Sequence, residues 1–166
     1  MKKQVNFTLN GKKVTALVSS SDTLLEVLRN QFHLYGARES CALGLCGVCT
    51  LIVSGNPVSG CLYLAPMVDG EEVLTVEGLE SEGELHPVQQ AFYEKNAFQC
   101  GYCTSGMILM AKKLLDENPN PSEEEIKDYM AGNICRCASY KQIIEAINEA
   151  SKILDTGTNG VKAAYQ

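Results

Sequence analysis

Residues 41–49 read Cys41-Ala42-Leu43-Gly44-Leu45-Cys46-Gly47-Val48-Cys49, and a fourth cysteine follows at Cys61. The spacing is C-x4-C-x2-C-x11-C. The other cysteines of the 166-residue chain make a second set, Cys100, Cys103, Cys135 and Cys137, spaced C-x2-C-x31-C-x-C. Eight cysteines thus divide into two fours with no remainder. Two sets of four thiolates in a small chain suggest two metal centres.

Three cysteines on one tight loop with a distant fourth is the plant-type [2Fe–2S] pattern. Each iron is tetrahedral and takes two bridging sulfides and two thiolates. One loop can wrap most of such a cluster, and Cys61 then arrives after a hairpin. Four thiolates give the cluster a net negative charge, which needs amide N–H groups aimed at sulfur. Gly44 and Gly47 allow that approach, because glycine adopts positive φ without a Cβ penalty. Ala42, Leu43, Leu45 and Val48 exclude water, and plant-type centres lie near roughly −400 mV. A structural zinc site is the alternative, but four-cysteine zinc sites usually pair two C-x2-4-C knuckles.

The second set is less specific. Cys100-Gly101-Tyr102-Cys103 could pass for a redox pair or half a zinc site. Cys135 and Cys137, two apart, suit two ligands to one iron. Cys100 and Cys103 would then serve the other iron from a helix start, where free N–H groups and a partial positive charge gather. Arg136 reads as a surface or interface cation.

Around these sets the chain changes character. Val5, Phe7 and Leu9 alternate with polar residues as a strand does. Asn10-Gly11 is a hairpin signal, and Val14, Ala16 and Val18 continue the alternation. Thr23-x-x-Glu26 is a capping box for a helix carrying Leu24, Leu25, Leu28 and Phe32. Thr50–Val53, Val58–Leu64 and Val73–Val76 are further strand candidates, with Ser54-Gly55-Asn56-Pro57 as a break. Residues 78–83 are acidic and flanked by glycine, the composition of a linker. Beyond them the patterns are helical. They predict a helix over His86–Phe98 with Pro87 in its first turn. A second carries Met107, Met110, Ala111, Leu114 and Leu115 and stops at Asn118-Pro119-Asn120-Pro121. Ser122-x-x-Glu125 caps a third with Ile126, Tyr129 and Met130. Ser139-x-x-Gln142 caps a fourth with Ile143, Ile144 and Ile147. Each cap contributes about 1 kcal/mol. The expected organisation is α+β: a β-rich domain over 1–77, a linker over 78–83, a helical domain over 84–155 and a tail over 156–166. Neither half could bury much core alone, so metal centres would act as staples.

Other function classes fall away. The net charge of −6 and pI near 5.0 give no basic footprint for nucleic acid. No apolar run approaches the ~20 residues of a membrane span. Met1–Phe7 lacks the apolar core of a secretory signal, and there is no twin-arginine pair, so we expect a cytoplasmic protein with reduced thiols. No phosphate loop or Gly-x-Gly-x-x-Gly occurs. His33 reads as a surface residue, His86 as a helix-start residue, and Asp69-Gly70-Glu71-Glu72 as a solvated turn.

The two spacings together resemble the small iron–sulfur subunit of the molybdenum hydroxylases, the xanthine dehydrogenase and aldehyde oxidoreductase group. The resemblance rests on Gly36-Ala37-Arg38-Glu39-Ser40 leading into the first loop, Gln99-Cys100-Gly101-Tyr102-Cys103-Thr104, and Gly132-Asn133-Ile134-Cys135-Arg136-Cys137. It spans residues from about 3 to 154. It implies an N-terminal β-grasp, ferredoxin-like domain and a C-terminal four-helix bundle, with one [2Fe–2S] cluster each. It implies a large subunit carrying molybdopterin cytosine dinucleotide, usually a medium subunit carrying FAD, and a dimer of heterotrimers. By that similarity, Gln99 would hydrogen-bond the pterin and the Cys137 sulfur would accept a hydrogen bond from it; a helix-cap or turn contact is the alternative for Gln99. The chain would then be an electron-transfer subunit of a molybdenum-dependent oxidoreductase, passing electrons from the molybdopterin site through two clusters toward FAD and not catalytic alone. A free ferredoxin-like carrier and a two-zinc interaction module are the alternatives. Three places depart from the family pattern: Ser40 stands where glycine is common, Ser105 where proline is usual, and Ala138-Ser139 where Thr-Gly is usual.

Overall fold

The computed structural model describes residues 2–156; the expected tail, apart from Thr156, lies outside them. Lys3–Leu9 (β1) and Lys12–Val18 (β2) form an antiparallel hairpin with Val5 opposite Ala16 and Phe7 opposite Val14. Its turn residues, Asn10 (φ 49°) and Gly11 (φ 76°), both adopt the left-handed conformation of a two-residue primed turn. Asn10 does more than turn the chain. Its carbonyl oxygen accepts from the Thr75 N–H at 2.9 Å, and its amide donates to Thr75 Oγ1 at 3.0 Å.

Thr50–Val53 (β3), Asn56–Ser59 (β4) and Glu72–Leu74 (β5) complete a five-stranded sheet in the order β2-β1-β5-β3-β4, with only β1 and β5 parallel. Two strand expectations shift. The fourth strand begins at Asn56, inside the expected break, because the turn tightens onto Ser54 and Gly55, both at positive φ. Pro57 is tolerated because β4 is an edge strand. The fifth ends at Leu74, and Val76–Leu79 forms a 3-10 turn instead.

Leu24–Gln31 (α1) starts at the Thr23–Glu26 capping box, with both reciprocal bonds made. It buries Leu24, Leu25, Val27 and Leu28 against the sheet. The helical half contains Pro87–Glu94 (α2), Thr104–Glu117 (α3), Glu123–Met130 (α4) and Tyr140–Thr156 (α5). The α2 helix stops short of the expected Phe98. Asn96 turns left-handed (φ 50°), and the backbone N–H groups of Lys95, Asn96 and Ala97 close on carbonyls of the preceding turn. The Ser122–Glu125 box of α4 forms as expected. That of α5 does not: the Ser139 carbonyl accepts from Ile143 N–H, but its hydroxyl makes no capping bond.

The two halves share more than a covalent connection. β3 is buried along its whole length. Its alternation sends Leu51 and Val53 into the core under α1, and Ile52 into the core of the helices, which also holds Phe92, Met107 and Ile147. Burying an isoleucine is worth about 2 kcal/mol. Leu79, within the segment read as a linker, also packs in the helical core.

Candidate metal centres

The first quartet sits where β-structure meets loop. Cys49 precedes β3 and Cys61 follows β4, so the antiparallel pair brings them together, and both are buried. Cys41 and Cys46 lie on the loop before β3, half-buried. Ala42 (φ 54°), Gly44 (φ 71°) and Gly47 (φ 67°) alternate left-handed residues along this loop. Such alternation turns successive N–H groups inward, a nest suited to anionic sulfur. The Leu43 N–H lies 3.4 Å from Cys41 Sγ. Leu43, then Leu45, hold the Cys41 thiol down to about 6, with the Cys46 thiol also beside it. Burial pushes the Cys49 thiol up to about 11, and Cys61 is its sulfur neighbour.

The second quartet is built at helix starts. Cys100 and Cys103 flank the turn into α3, with Gly101 at φ 75°, and Cys135 and Cys137 lie on the turn into α5, with Ala138 at φ 60°. The sulfurs meet across these segments, Cys100 with Cys137 and Cys103 with Cys135, rather than along them. The two turns face each other, so the neighbouring thiols come from opposite segments. The Tyr102 N–H lowers the Cys100 thiol, and burial pushes Cys103 up to about 12. Gln99, exposed, donates its side-chain N–H to the Cys137 carbonyl at 3.1 Å.

Among the described residues, no three His, Cys, Asp or Glu side chains converge on a single ion. The thiols form contacting pairs, two in each quartet. Thiol pairs ringed by amide N–H donors are the donor set of a di-iron cluster, which takes two thiolates on each iron, and the residues fit that group. When bound, such a cluster accepts and releases single electrons.

What motif spacing did not reveal is how the quartets are joined. The Ile134 N–H donates to the Cys46 carbonyl at 2.9 Å, linking residues adjacent to or within each set. Asn133, buried, donates its side-chain amide to the Gly47 carbonyl at 3.0 Å. Gly106 of α3 packs directly on this loop, where a Cβ would lie 2.4 Å from the Gly47 oxygen. From the other side, Arg38 Nη1 donates to the Gly101 carbonyl at 2.6 Å and stacks on the Tyr102 ring, whose hydroxyl donates to the Glu39 carbonyl. Only the glycine at 106 and the asparagine at 133 hinted at this junction, and neither carries a spacing rule.

His86 caps α2: its Nδ1 accepts from the Val88 N–H at 3.1 Å. Asp69 is not simply solvated. It accepts from the Asn6 N–H at 2.8 Å, which, with Lys3 nearby, holds its carboxyl below the usual range.

Fold and thiol geometry together define a two-centre [2Fe–2S] electron-transfer protein. Family models agree half by half: residues 7–76 match the 2Fe-2S iron-sulfur cluster binding domain, and residues 75–148 match the [2Fe-2S] binding domain. The chain is 44% identical over 146 residues to the nicotinate dehydrogenase small FeS subunit of Eubacterium barkeri, covering 88% of this chain and 93% of that one. It is 41% identical over 158 residues to the aldehyde oxidoreductase iron-sulfur-binding subunit PaoA of Escherichia coli (strain K12), covering 86% of this chain and 69% of that one. Among solved structures, quinoline 2-oxidoreductase from Pseudomonas putida 86 superposes with a TM-score of 0.90 at 37% identity, covering 94% of this chain and 98% of that one. The aldehyde oxidoreductase of Desulfovibrio desulfuricans ATCC 27774 gives 0.89 at 39% identity, with 93% of this chain matching 17% of that longer one. The chain belongs to the iron–sulfur small subunits of the molybdenum hydroxylases. It is an electron-transfer subunit that works with larger partner subunits of an oxidoreductase and is not catalytic alone. Among the described residues no helix is long and apolar enough to cross a membrane.

Proposed function

We propose that Cys100, Cys103, Cys135 and Cys137 hold the cluster facing a large subunit with molybdopterin cytosine dinucleotide, and that Cys41, Cys46, Cys49 and Cys61 hold the cluster facing a medium subunit with FAD. Electrons from oxidation of an aldehyde, N-heterocycle or similar small substrate would cross the chain in that order. The supporting observation is the junction at Ile134, where a hydrogen bond to Cys46 ties one quartet's loop to the residue beside Cys135. The residues of this chain fix the two sites relative to one another, aim amide dipoles at sulfur and keep water from the buried thiolates.

Gln99 and the Cys137 sulfur would meet the pterin, and the Gln99 bond to the Cys137 carbonyl holds those two residues together. In the second quartet each iron would take one sulfur from either segment, Cys100 with Cys137 and Cys103 with Cys135. Each quartet is bordered by exposed apolar side chains, Leu43, Leu45 and Leu62 at the first and Phe98, Tyr102 and Ile134 at the second. Apolar surface of this kind suits partner subunits. The sheet with α1 would constitute a β-grasp domain over 1–77 and helices α2–α5 a four-helix bundle over 84–155, joined through 78–83. The complex would be a cytoplasmic dimer of heterotrimers.

Purified complex tests this reading. Two distinct EPR signals on reduction, about four irons and four acid-labile sulfides per chain, and copurification with two larger subunits at fixed ratio are expected. Zinc in place of iron, or a chain that carries electrons as a lone monomer, would reject it.

A further inference from the structure

Three buried hydroxyl oxygens, Thr104 Oγ1, Ser105 Oγ and Ser139 Oγ, make no hydrogen bond among the described residues. They are the buried side-chain polar atoms there that lack a partner. All three border the second quartet. Thr104 and Ser105 follow Cys103 in the first turn of α3, and Ser139 stands two residues after Cys137 at the start of α5. Ser105 and Ser139 are 8% and 2% exposed. Ser139 is among the groups that lower the Cys135 thiol, so it lies beside this quartet.

A buried hydroxyl left without a partner costs about 1–3 kcal/mol, and native proteins satisfy nearly all of them. Three such groups at one place are explained if the missing acceptor is the occupant of the site. The acceptors a [2Fe–2S] cluster offers are its thiolate and sulfide sulfurs. Ser139 shows what is given up for this. It occupies a helix-capping position and begins a Ser-x-x-Gln sequence, yet its hydroxyl makes no capping bond and stays buried without a partner. Among the described residues the first quartet has no equivalent: the nearby Thr50 hydroxyl is already committed, donating to the Gly47 carbonyl at 2.7 Å.

We propose that Ser105 and Ser139 donate O–H hydrogen bonds to sulfur of the second cluster and raise its reduction potential, so that this chain tunes one centre independently of the other. The reduced cluster carries one more negative charge than the oxidised one, so a donor to sulfur stabilises the reduced form more. Thr104 adds a third hydroxyl to the same shell. The inference rests on the second quartet binding a cluster.

The test is an EPR-monitored redox titration of the assembled, cluster-loaded complex. Ser105→Ala and Ser139→Ala are each expected to lower the midpoint of the second centre and leave the first in place. The double variant is expected to lower the second centre's reduced-to-oxidised ratio at least tenfold at fixed potential, about 59 mV for one electron. Ser139→Thr, which keeps the hydroxyl, should restore the midpoint. If one alanine variant loads no second cluster, the other and the threonine variant still decide. Midpoints unchanged in the loaded variants would overturn the proposal, whereas a missing second signal in the unaltered complex would overturn the ligand assignment beneath it.

Discussion

Replacing Gly106 with alanine puts a methyl carbon 2.4 Å from the Gly47 carbonyl oxygen and 3.0 Å from that of Val48. Both obstacles are backbone, so no side chain can swing aside. The α3 helix and the first cysteine loop must separate instead. Overpacking of this kind costs about 1–3 kcal/mol. Separation also stretches the Asn133-to-Gly47 bond at 3.0 Å and the Ile134-to-Cys46 bond at 2.9 Å, each worth about 1 kcal/mol. Against this, alanine gains up to about 1 kcal/mol of helix propensity over glycine. The net expectation is a loss of about 2 kcal/mol, or a fall in Tm of about 4–8 °C for a chain of this size. Thermal unfolding of the loaded protein at one scan rate, followed by loss of the cluster absorbance, measures it. Gly132→Ala is the control, since nothing lies within 4 Å of its Cβ position. The EPR signals should also show altered magnetic coupling between the centres. A Gly106→Ala protein as stable as its parent, or more stable, would refute the account of how the halves are joined.

Asn133→Ala removes one of three donors to the Gly47 carbonyl, Thr50 supplying the other two through its N–H and hydroxyl, and should cost about 0.5–1.5 kcal/mol in urea unfolding, with Gly132→Ala near zero. Cys137→Ser should reduce iron from about four to about two per chain and remove one EPR signal while sparing the other. The pH dependence of stability should carry a His86 contribution. Burial, with Lys112 nearby, holds its pKa down to about 4 from 6.5, so the folded chain keeps it neutral while the unfolded chain takes up a proton. Its contribution is complete above pH 6.5 and is lost as pH falls to about 4, up to about 3 kcal/mol in all. Unfolding free energies of the His86→Asn variant, which retains a capping side chain, should be flatter across that window.

The cysteine spacings, the Asn10-Gly11 turn and the Thr23 and Ser122 boxes could be read from the chain alone, because each is a local device. A turn needs two residues that tolerate positive φ, a cap needs one side chain within reach of its own backbone, and a cluster loop needs thiols at fixed intervals. The same locality explains where reading failed. Pro57 looks like a break until β4 is known to be an edge, and the Ser139 box looks like a cap until its hydroxyl is found to make no bond to the helix. Which sulfurs meet could not be read either, since Cys100 and Cys137 are brought together by the facing turns ahead of α3 and α5. Composition marked residues 78–83 as a separator between halves, whereas Ile52 and Leu79 both pack into the helical core. Sequence alone thus determined that the eight cysteines fall into two sets of four and what kind of element carries each. Their union at Gly47, Gly106, Asn133 and Ile134 belongs to tertiary structure, because it depends on contacts between residues about 60–90 positions apart, which leave no periodicity and no fixed interval along the chain.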